Sequence, residues 1–441
     1  MASPARRSGA PTATTVTTTT STVVPTTGAT TSVTLTVPAG DGGGSLSTPR
    51  TLTVPVGWSA GVWARVAGAR MEAWSPDGDL LVSVPGSGQV VEFDGGAGSA
   101  TAPTHHVLLS GLTEPQGLAF AAVGGQEVLY VGESDQIDRY PWHDGTVTGS
   151  RTVIVPDLPD LDPAGDDDHR PKDVAIGSDG TVYFDIGSSS NANPDDRRAS
   201  PERAVIMAVR PDGTDLHIVA TGVRNGEGLS IAPDGTLWTA VNERDNIPFP
   251  FHQSYGGQAD AFGQVIAAYV DEHPPDEVAR ITQGRDLGWP YCNPDQDQAT
   301  PTGSMSAIPL IADAVTNPGG RALDCAALDP VDVGLPAHSA PLGFHFLESS
   351  KFPAPWSGGA VVAVHGSWDR QPPRAPAVLW MAWNTTTDTL EPATTLISGF
   401  QNADGSRWGR PVDAVVGPDG ALYVSDDTAG AIYRFVPSDQ G

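Results

Sequence analysis

The feature that most restricts how this chain can fold is a short hairpin that keeps returning. Trp74-Ser-Pro-Asp-Gly-Asp-Leu-Leu-Val-Ser is followed by Ile176-Gly-Ser-Asp-Gly-Thr-Val-Tyr-Phe, Ile231-Ala-Pro-Asp-Gly-Thr-Leu-Trp-Thr and Val416-Gly-Pro-Asp-Gly-Ala-Leu-Tyr-Val. Each reads as two short β-rich runs joined by a tight turn whose Gly tolerates positive φ. Two weaker copies fill the gaps, Gly117-Leu-Ala-Phe with Val128-Leu-Tyr-Val and Gly359-Ala-Val-Val-Ala-Val with Ala377-Val-Leu-Trp-Met, which makes six units. Such units, repeated around an axis, protect their sheet edges by radial repetition and leave a central mouth lined by loops. The expected fold is therefore all-β, a six-bladed β-propeller. A length of 441 residues would otherwise point to about three domains. The longest interval between units, from about Asn246 to Pro341, is rich in Pro, Gly and Asp and reads as insertions on one face. Within it, Phe262 to Tyr269 fits a helical turn or a strand equally well.

Composition supports the all-β reading, since 51 Gly and 40 Pro punctuate the chain far more often than a helical protein tolerates. Residues 1–47 are expected to lie outside the fold as a disordered, Thr-rich segment resembling an extracellular stalk, and 48–441 to form the propeller. The first residues carry two arginines with no apolar stretch behind them, so they do not read as a secretory leader. No apolar run is long enough to span a membrane. A formal net charge of −28 makes a surface that repels nucleic acid and anionic membranes. It also makes each Arg informative, because a few cations inside an acidic protein can gather around an anionic ligand. Cys292 and Cys325 are the only cysteines. They are compatible with one disulfide or with two quiet thiols, and the secreted or periplasmic look of the chain favours the disulfide.

The stretch from Asp168 to Asn191 joins a repeat unit to a reactive group. Asp168-His169 lies where a loop enters the first strand of a unit, a position from which a rigid sheet presents chemistry. A His there can act as a base near neutral pH, and Asp168 could hold its other ring nitrogen.

Motifs spread along the chain resemble those of the quinoprotein glucose and sorbosone dehydrogenases, most closely the sorbosone-dehydrogenase-like branch. They include Ala69-Arg-Met, Pro115-Gln-Gly-Leu-Ala-Phe, His169 with Gly187-Ser-Ser-Ser-Asn, Val223-Arg-Asn, Val241-Asn-Glu-Arg-Asp, Leu287-Gly-Trp-Pro-Tyr, His338-Ser-Ala-Pro-Leu-Gly, His365-Gly-Ser-Trp-Asp-Arg and Gly409-Arg-Pro-Val-Asp. The resemblance implies oxidation of an aldose or sorbosone-type sugar with pyrroloquinoline quinone (PQQ) and calcium. It makes His169 the general base and sets Arg224 and Asn225 against the cofactor. It assigns further cofactor contacts to Gln116, His338, Ser367, Trp368, Arg370 and Arg410, the last with Asp413 nearby. Calcium would be held at Glu243, Arg244 and Asp245, largely through backbone carbonyls. The chain departs from the family pattern where Gly226 and Glu227 follow the Arg-Asn pair. No Cys-x-x-Cys-His is present, so electrons must leave to an external acceptor or a separate redox partner. Two other classes compete: a calcium-dependent lactonase or related hydrolase using Asn225, Asn242, Glu243 and Asp426, and a non-catalytic extracellular binding propeller.

Overall fold

A computed structural model describes residues 28–160, 169–347, 352 and 355–437. Six antiparallel sheets surround one axis. From the axis outward, blade 1 contains Glu72–Trp74, Leu80–Val84, Gln89–Phe93 and His106–Ser110. Blade 2 runs from Leu118–Val123 through Gln126–Gly132 to Ile137–His143, with Thr152–Val155 outermost. Blade 3 contains Val174–Ile176, Val182–Ile186, Val205–Val209 and His217–Thr221. Blade 4 contains Gly228–Ile231, Leu237–Val241, Asp276–Ile281 and Val331–Leu335. Blade 5 runs from Pro341–Phe346 through Ala360–Val364 and Ala377–Met381 to Thr394–Ser398. Blade 6 joins Pro411–Val416, Leu422–Asp426 and Ala431–Val436 to Ser59–Arg65, so a strand from the start of the chain closes the ring with the last ones.

The recurring turns behave as their composition requires. Gly78, Gly180, Gly235 and Gly420 hold φ of 93°, 85°, 85° and 77°, where a side chain would be strained. In each blade that carries one, the turn joins the innermost strand to the second, so all of these turns lie at one end of the axis. A central cavity of ≈ 720 Å³ runs between the six inner strands and is lined by Trp74, Phe120, Ile176, Ser230, Phe346 and Val416 among others. Apolar side chains fill the spaces between blades. At the closure, Trp63, Trp74, Phe93 and Tyr423 make one aromatic cluster, with ring centroids 4.9 Å apart for Trp74 and Tyr423.

Three expectations need correction. Gly359 to Met381 is not an inner hairpin; it supplies the second and third strands of blade 5, whose inner strand is Pro341–Phe346. Both faces of a middle strand are covered by neighbouring blades, so its uninterrupted Val and Ala carry no mark of radial position. Second, the interval from Asn246 to Pro341 is only partly insertion, because Asp276–Ile281 and Val331–Leu335 complete blade 4. Phe262 to Tyr269 leads into a single helical turn, Ala267–Val270. Third, the folded body begins before residue 48. Thr30–Thr34 pairs with Thr51–Pro55, which extends blade 5 through a bridge to Ser398, and Leu35 and Leu46 are buried in the adjoining core. The rest of the Thr-rich segment, residues 1–27, lies outside the described residues.

Removing residues 1–47 is therefore expected to lower stability by roughly 3–6 kcal/mol, the worth of exposing the space filled by two buried leucines. Denaturant unfolding of the shortened and full chains checks this, and equal midpoints would show that the strand is dispensable.

Candidate active site

Each inner strand is entered from the end opposite the hairpin turns, and a polar residue stands within the last few positions before it in every blade. Arg70 precedes Glu72–Trp74, Gln116 precedes Leu118–Val123, and His169 to Asp173 lead into Val174–Ile176. Arg224 and Asn225 precede Gly228–Ile231, His338 precedes Pro341–Phe346, and Arg410 precedes Pro411–Val416. Loops that leave the second strands come to the same face and add Ser188, Glu243, Ser367 and Asp427.

His169 is anchored through Nδ1, which lies 2.8 Å from Ser188 Oγ and 3.2 Å from the Ser188 carbonyl. A carbonyl only accepts, so Nδ1 carries the proton and Nε2 keeps its lone pair. The Ser188 hydroxyl in turn donates to Ser190 O at 2.9 Å, which leaves its oxygen free to accept from the ring. Ser188 thus holds the tautomer, the task expected of Asp168, which lies outside the described residues. Burial, then the Arg224 guanidinium, push the His169 pKa well below the ordinary histidine value, so the ring is a neutral base at neutral pH.

Arg224 is buried, and every nitrogen of its fork is engaged. Nε donates to Asn191 O, Nη1 to the carbonyls of Asn242 and Glu243, and Nη2 to Asn191 Oδ1 and Asp245 at 3.1 Å. Its ion partner is Asp245, whereas Glu227 pairs with Arg70 at 3.1 Å. Asn225 Nδ2 donates to Glu227, and its Oδ1 is buried without a partner. Gln116 likewise offers Oε1 to Arg70 and leaves Nε2 buried and unpaired.

The other side of the mouth is cationic. Arg410 donates from Nε to His365 O at 2.9 Å, and Arg407 donates to Ser367 O. Among the described residues no carboxylate lies within ion-pair distance of either, and Arg407 Nε is buried without a partner. Burial and their mutual repulsion depress the pKa of Arg410. Arg70 reaches Asp427 at 3.2 Å, and His365 Nε2 approaches Asp427 at 3.0 Å. Burial raises the Asp427 pKa, but His365 and Arg70 outweigh it and hold the carboxyl at about 2.

Several expected residues do not face the mouth as anticipated. Asp413 is buried on the axis, bonded to His345 and to the Glu72 amide, and is not a partner of Arg410. Arg370 is held against Asp271 O and Glu272. Arg244 turns into the wall to pair with Asp313. Trp368 is 69% exposed at the rim and is not packed between blades. Ser367 Oγ accepts from the Arg374 amide. The carbonyls of Glu243 and Asp245 already accept from Arg224 and Asn191, and the groups that converge for a cation are the carboxylates of Asp245 and Asp369 beside His338. His338 Nε2 lies 2.6 Å from Val270 O and Nδ1 3.3 Å from Asp369. For the hydrolase alternative, Asp426 is spent on Tyr433 and the Ala429 amide, and Asn242 on Pro341 O.

Sequence reading missed Arg70, Arg407, Ser188, Asn191 and Asp369 as site residues. The signal for Arg70 was present, since it stands before an inner strand as Arg224 and Arg410 do. The mouth fits a flat anionic cofactor: two cations without counter-ions stand with the orphaned Gln116 Nε2, Arg407 Nε and Asn225 Oδ1. Asp245 and Asp369 fit a hard cation.

Fold and mouth together define a six-bladed propeller with a basic group and a cationic wall at one end of its axis. The chain matches the TrAA12-like family over residues 52–436 and belongs to it. An uncharacterized protein of Borreliella burgdorferi is 29% identical over 257 residues, which span 57% of this chain and 56% of that protein. Among solved structures, Trichoderma reesei Carbohydrate-Active Enzymes Family AA12 superposes with a TM-score of 0.68 at 20% identity, over 87% of this chain and 97% of that one. The holo form of the pyranose dehydrogenase PQQ domain from Coprinopsis cinerea gives 0.68 at 19% identity, covering 88% and 97%. The PQQ-bound form of aldose sugar dehydrogenase from Streptomyces coelicolor gives 0.52 at 16% identity, covering 87% and 99%. At these identities the structural likeness speaks for the fold. The disulfide between Cys292 and Cys325 is present, with a Cα separation of 5.7 Å. No described helix is long and apolar enough to cross a membrane.

The lowered Asp427 pKa makes a stability prediction. Its ionised form is favoured by folding, so its contribution is full above the unfolded value near ~4 and disappears as pH falls toward about 2. Asp427→Asn should cost about 2 kcal/mol at neutral pH and nothing near pH ~2. A gap between variant and parent that persists unchanged in acid would refute the pairing.

Proposed function

We propose that this protein oxidises a sugar of the aldose or sorbosone type, with pyrroloquinoline quinone and calcium as cofactors and His169 as general base. The observation that carries the reading is the His169 ring. Ser188 fixes its Nδ1, no described group bonds its Nε2, and burial with Arg224 keeps it neutral. It opens on the face where Arg407 and Arg410 lack counter-ions. The PQQ-holding propellers from Coprinopsis cinerea and Streptomyces coelicolor share this architecture, which supports the choice of cofactor.

When bound, the quinone supplies a two-electron acceptor for hydride and calcium a Lewis acid. The chain's own residues do the rest. His169 Nε2 accepts the sugar hydroxyl proton as the carbon is oxidised. The bonds of Arg224 to Asn191, Asn242, Glu243 and Asp245 hold its guanidinium without reorganisation beside the base. It therefore stabilises negative charge that develops there, and the same charge keeps His169 from taking a proton prematurely. Arg407, Arg410, Gln116 and Asn225 would hold the cofactor's polar groups, with the two Arg cations supplying most of the attraction for its carboxylates. Asp245 and Asp369 would carry the charge opposite calcium. Trp368 at the rim offers a flat apolar surface to cofactor or sugar. The disulfide supports a secreted or cell-envelope location, where an external acceptor or separate redox partner takes the electrons.

Adding the quinone and calcium to the apoprotein should produce bound-cofactor absorbance that an aldose or sorbosone-type sugar bleaches; a hydrolase or a binding propeller would show neither. His169→Gln should keep that absorbance and lower turnover by roughly 10²–10⁴-fold. Parent-like turnover in this variant would remove the histidine from the mechanism. Arg410→Ala should instead weaken cofactor binding, read from the same spectrum. Because the His169 pKa is lowered, turnover should hold through pH ~6.5 and fall only in more acidic solution.

A further inference from the structure

We propose that His273, Asp295 and Asp297 form a binding site for one zinc-type divalent ion, outside the mouth and independent of the cofactor reading. Their ligand atoms lie within 4.8 Å of one another. His273 follows the helical turn Ala267–Val270, while Asp295 and Asp297 belong to the excursion closed by the Cys292–Cys325 disulfide. An ion here ties that excursion to the wall whose Val270 carbonyl meets His338 and whose Asp271 carbonyl meets Arg370.

The state of the histidine points to the ion. Its Nδ1 lies 3.1 Å from Tyr269 O, which can only accept, so Nδ1 donates there and Nε2 is the nitrogen turned toward the two carboxylates. The ring is 6% exposed and stacks on Tyr269 with centroids 4.1 Å apart. Nε2 faces Asp297 Oδ2 at 3.4 Å and Asp295 Oδ1 at 3.8 Å, yet makes no hydrogen bond to either. Asp295 is 1% exposed, and its Oδ2 also lacks a partner. A buried ring nitrogen and two carboxylates that face one another without a hydrogen bond leave the place between them for a cation. The Asp297 amide donates to Asp295 Oδ1 at 2.9 Å and orients that carboxylate, as outer contacts do at metal sites.

Distances and donor types select the ion. Two ligands about 2.0–2.1 Å from a tetrahedral centre stand about 3.3–3.4 Å apart. The His273–Asp297 separation of 3.4 Å meets this, and the 3.8 Å to Asp295 needs only a small closure. One imidazole with two carboxylates suits zinc and its first-row neighbours, whereas calcium and magnesium prefer oxygen throughout. Water completes the fourth position on the side of exposed Asp297.

The test uses the full chain, stripped with chelator, resupplied with excess calcium and titrated with zinc by calorimetry. One site per chain is expected, with affinity lowered at least tenfold in both His273→Gln and Asp297→Asn and retained in His338→Gln. Zinc should also raise the thermal midpoint of the parent and not of these two variants. Asp297 is exposed, so its variant keeps the fold even where the buried histidine cannot be changed. Absence of zinc binding by the parent overturns the proposal. So does parent-like affinity in Asp297→Asn, or loss confined to His338→Gln.

Discussion

Six inner strands meeting at one axis bring their backbones closer than side chains ordinarily allow, and the rest of the structure depends on how that crowding is resolved. Glycine and buried carboxylates resolve it together. A Cβ on Gly117 would lie 2.6 Å from Asp173 Oδ1, and one on Gly343 would lie 2.0 Å from Asp413 Oδ1. The carboxylates then accept amides of neighbouring blades: Asp173 from Leu229, Asp413 from Glu72, and Asp276 from Ala340. Burial raises the Asp173 pKa to about 7 even with these bonds in place. Buried amides at the junctions are thereby satisfied without a continuous sheet linking the blades.

This stitched ring fixes the entry point of every inner strand, and the polar residues at those entries meet because of it. Arg70 at blade 1 is neutralised by Glu227 of blade 4 and Asp427 of blade 6, and Arg224 by Asp245, both at blade 4. Among the described residues Arg407 and Arg410 have no carboxylate within ion-pair distance, in a chain whose net charge is −28. Uncompensated cations in a strongly acidic protein are the electrostatic mark of a place meant for an anion. The neutral His169 opposite them follows from the same low-dielectric setting, since burial and Arg224 both disfavour a second positive charge.

Much of this was legible in the chain. The four Asp-Gly turns announced hairpins because only glycine takes their positive φ cheaply, and with two weaker copies they made up the count of six blades. His169 could be nominated because it stands before an apolar run that must be a strand, and the family resemblance implied Arg224, Asn225, His338 and Arg410. Blade 5 was misread at its hairpin because middle and inner strands are equally apolar, and the Thr-rich start was misread because Thr30–Thr34 has a partner only once Thr51–Pro55 is docked on Ser398.

By itself, then, the sequence determined the local elements: hairpins, their repeat, the scarcity of cations and the pairing potential of two cysteines. These depend on backbone dihedrals, periodicity and composition, which neighbours along the chain decide. Only the tertiary structure decided that Ser188 holds His169, that Arg224 answers Asp245, that Arg370 and Arg244 turn into the wall, and that Asp369 joins Asp245 and His338. Hydrogen bonds and ion pairs act over a few ångströms in space, and ring closure brings together groups that lie tens to hundreds of residues apart along the chain.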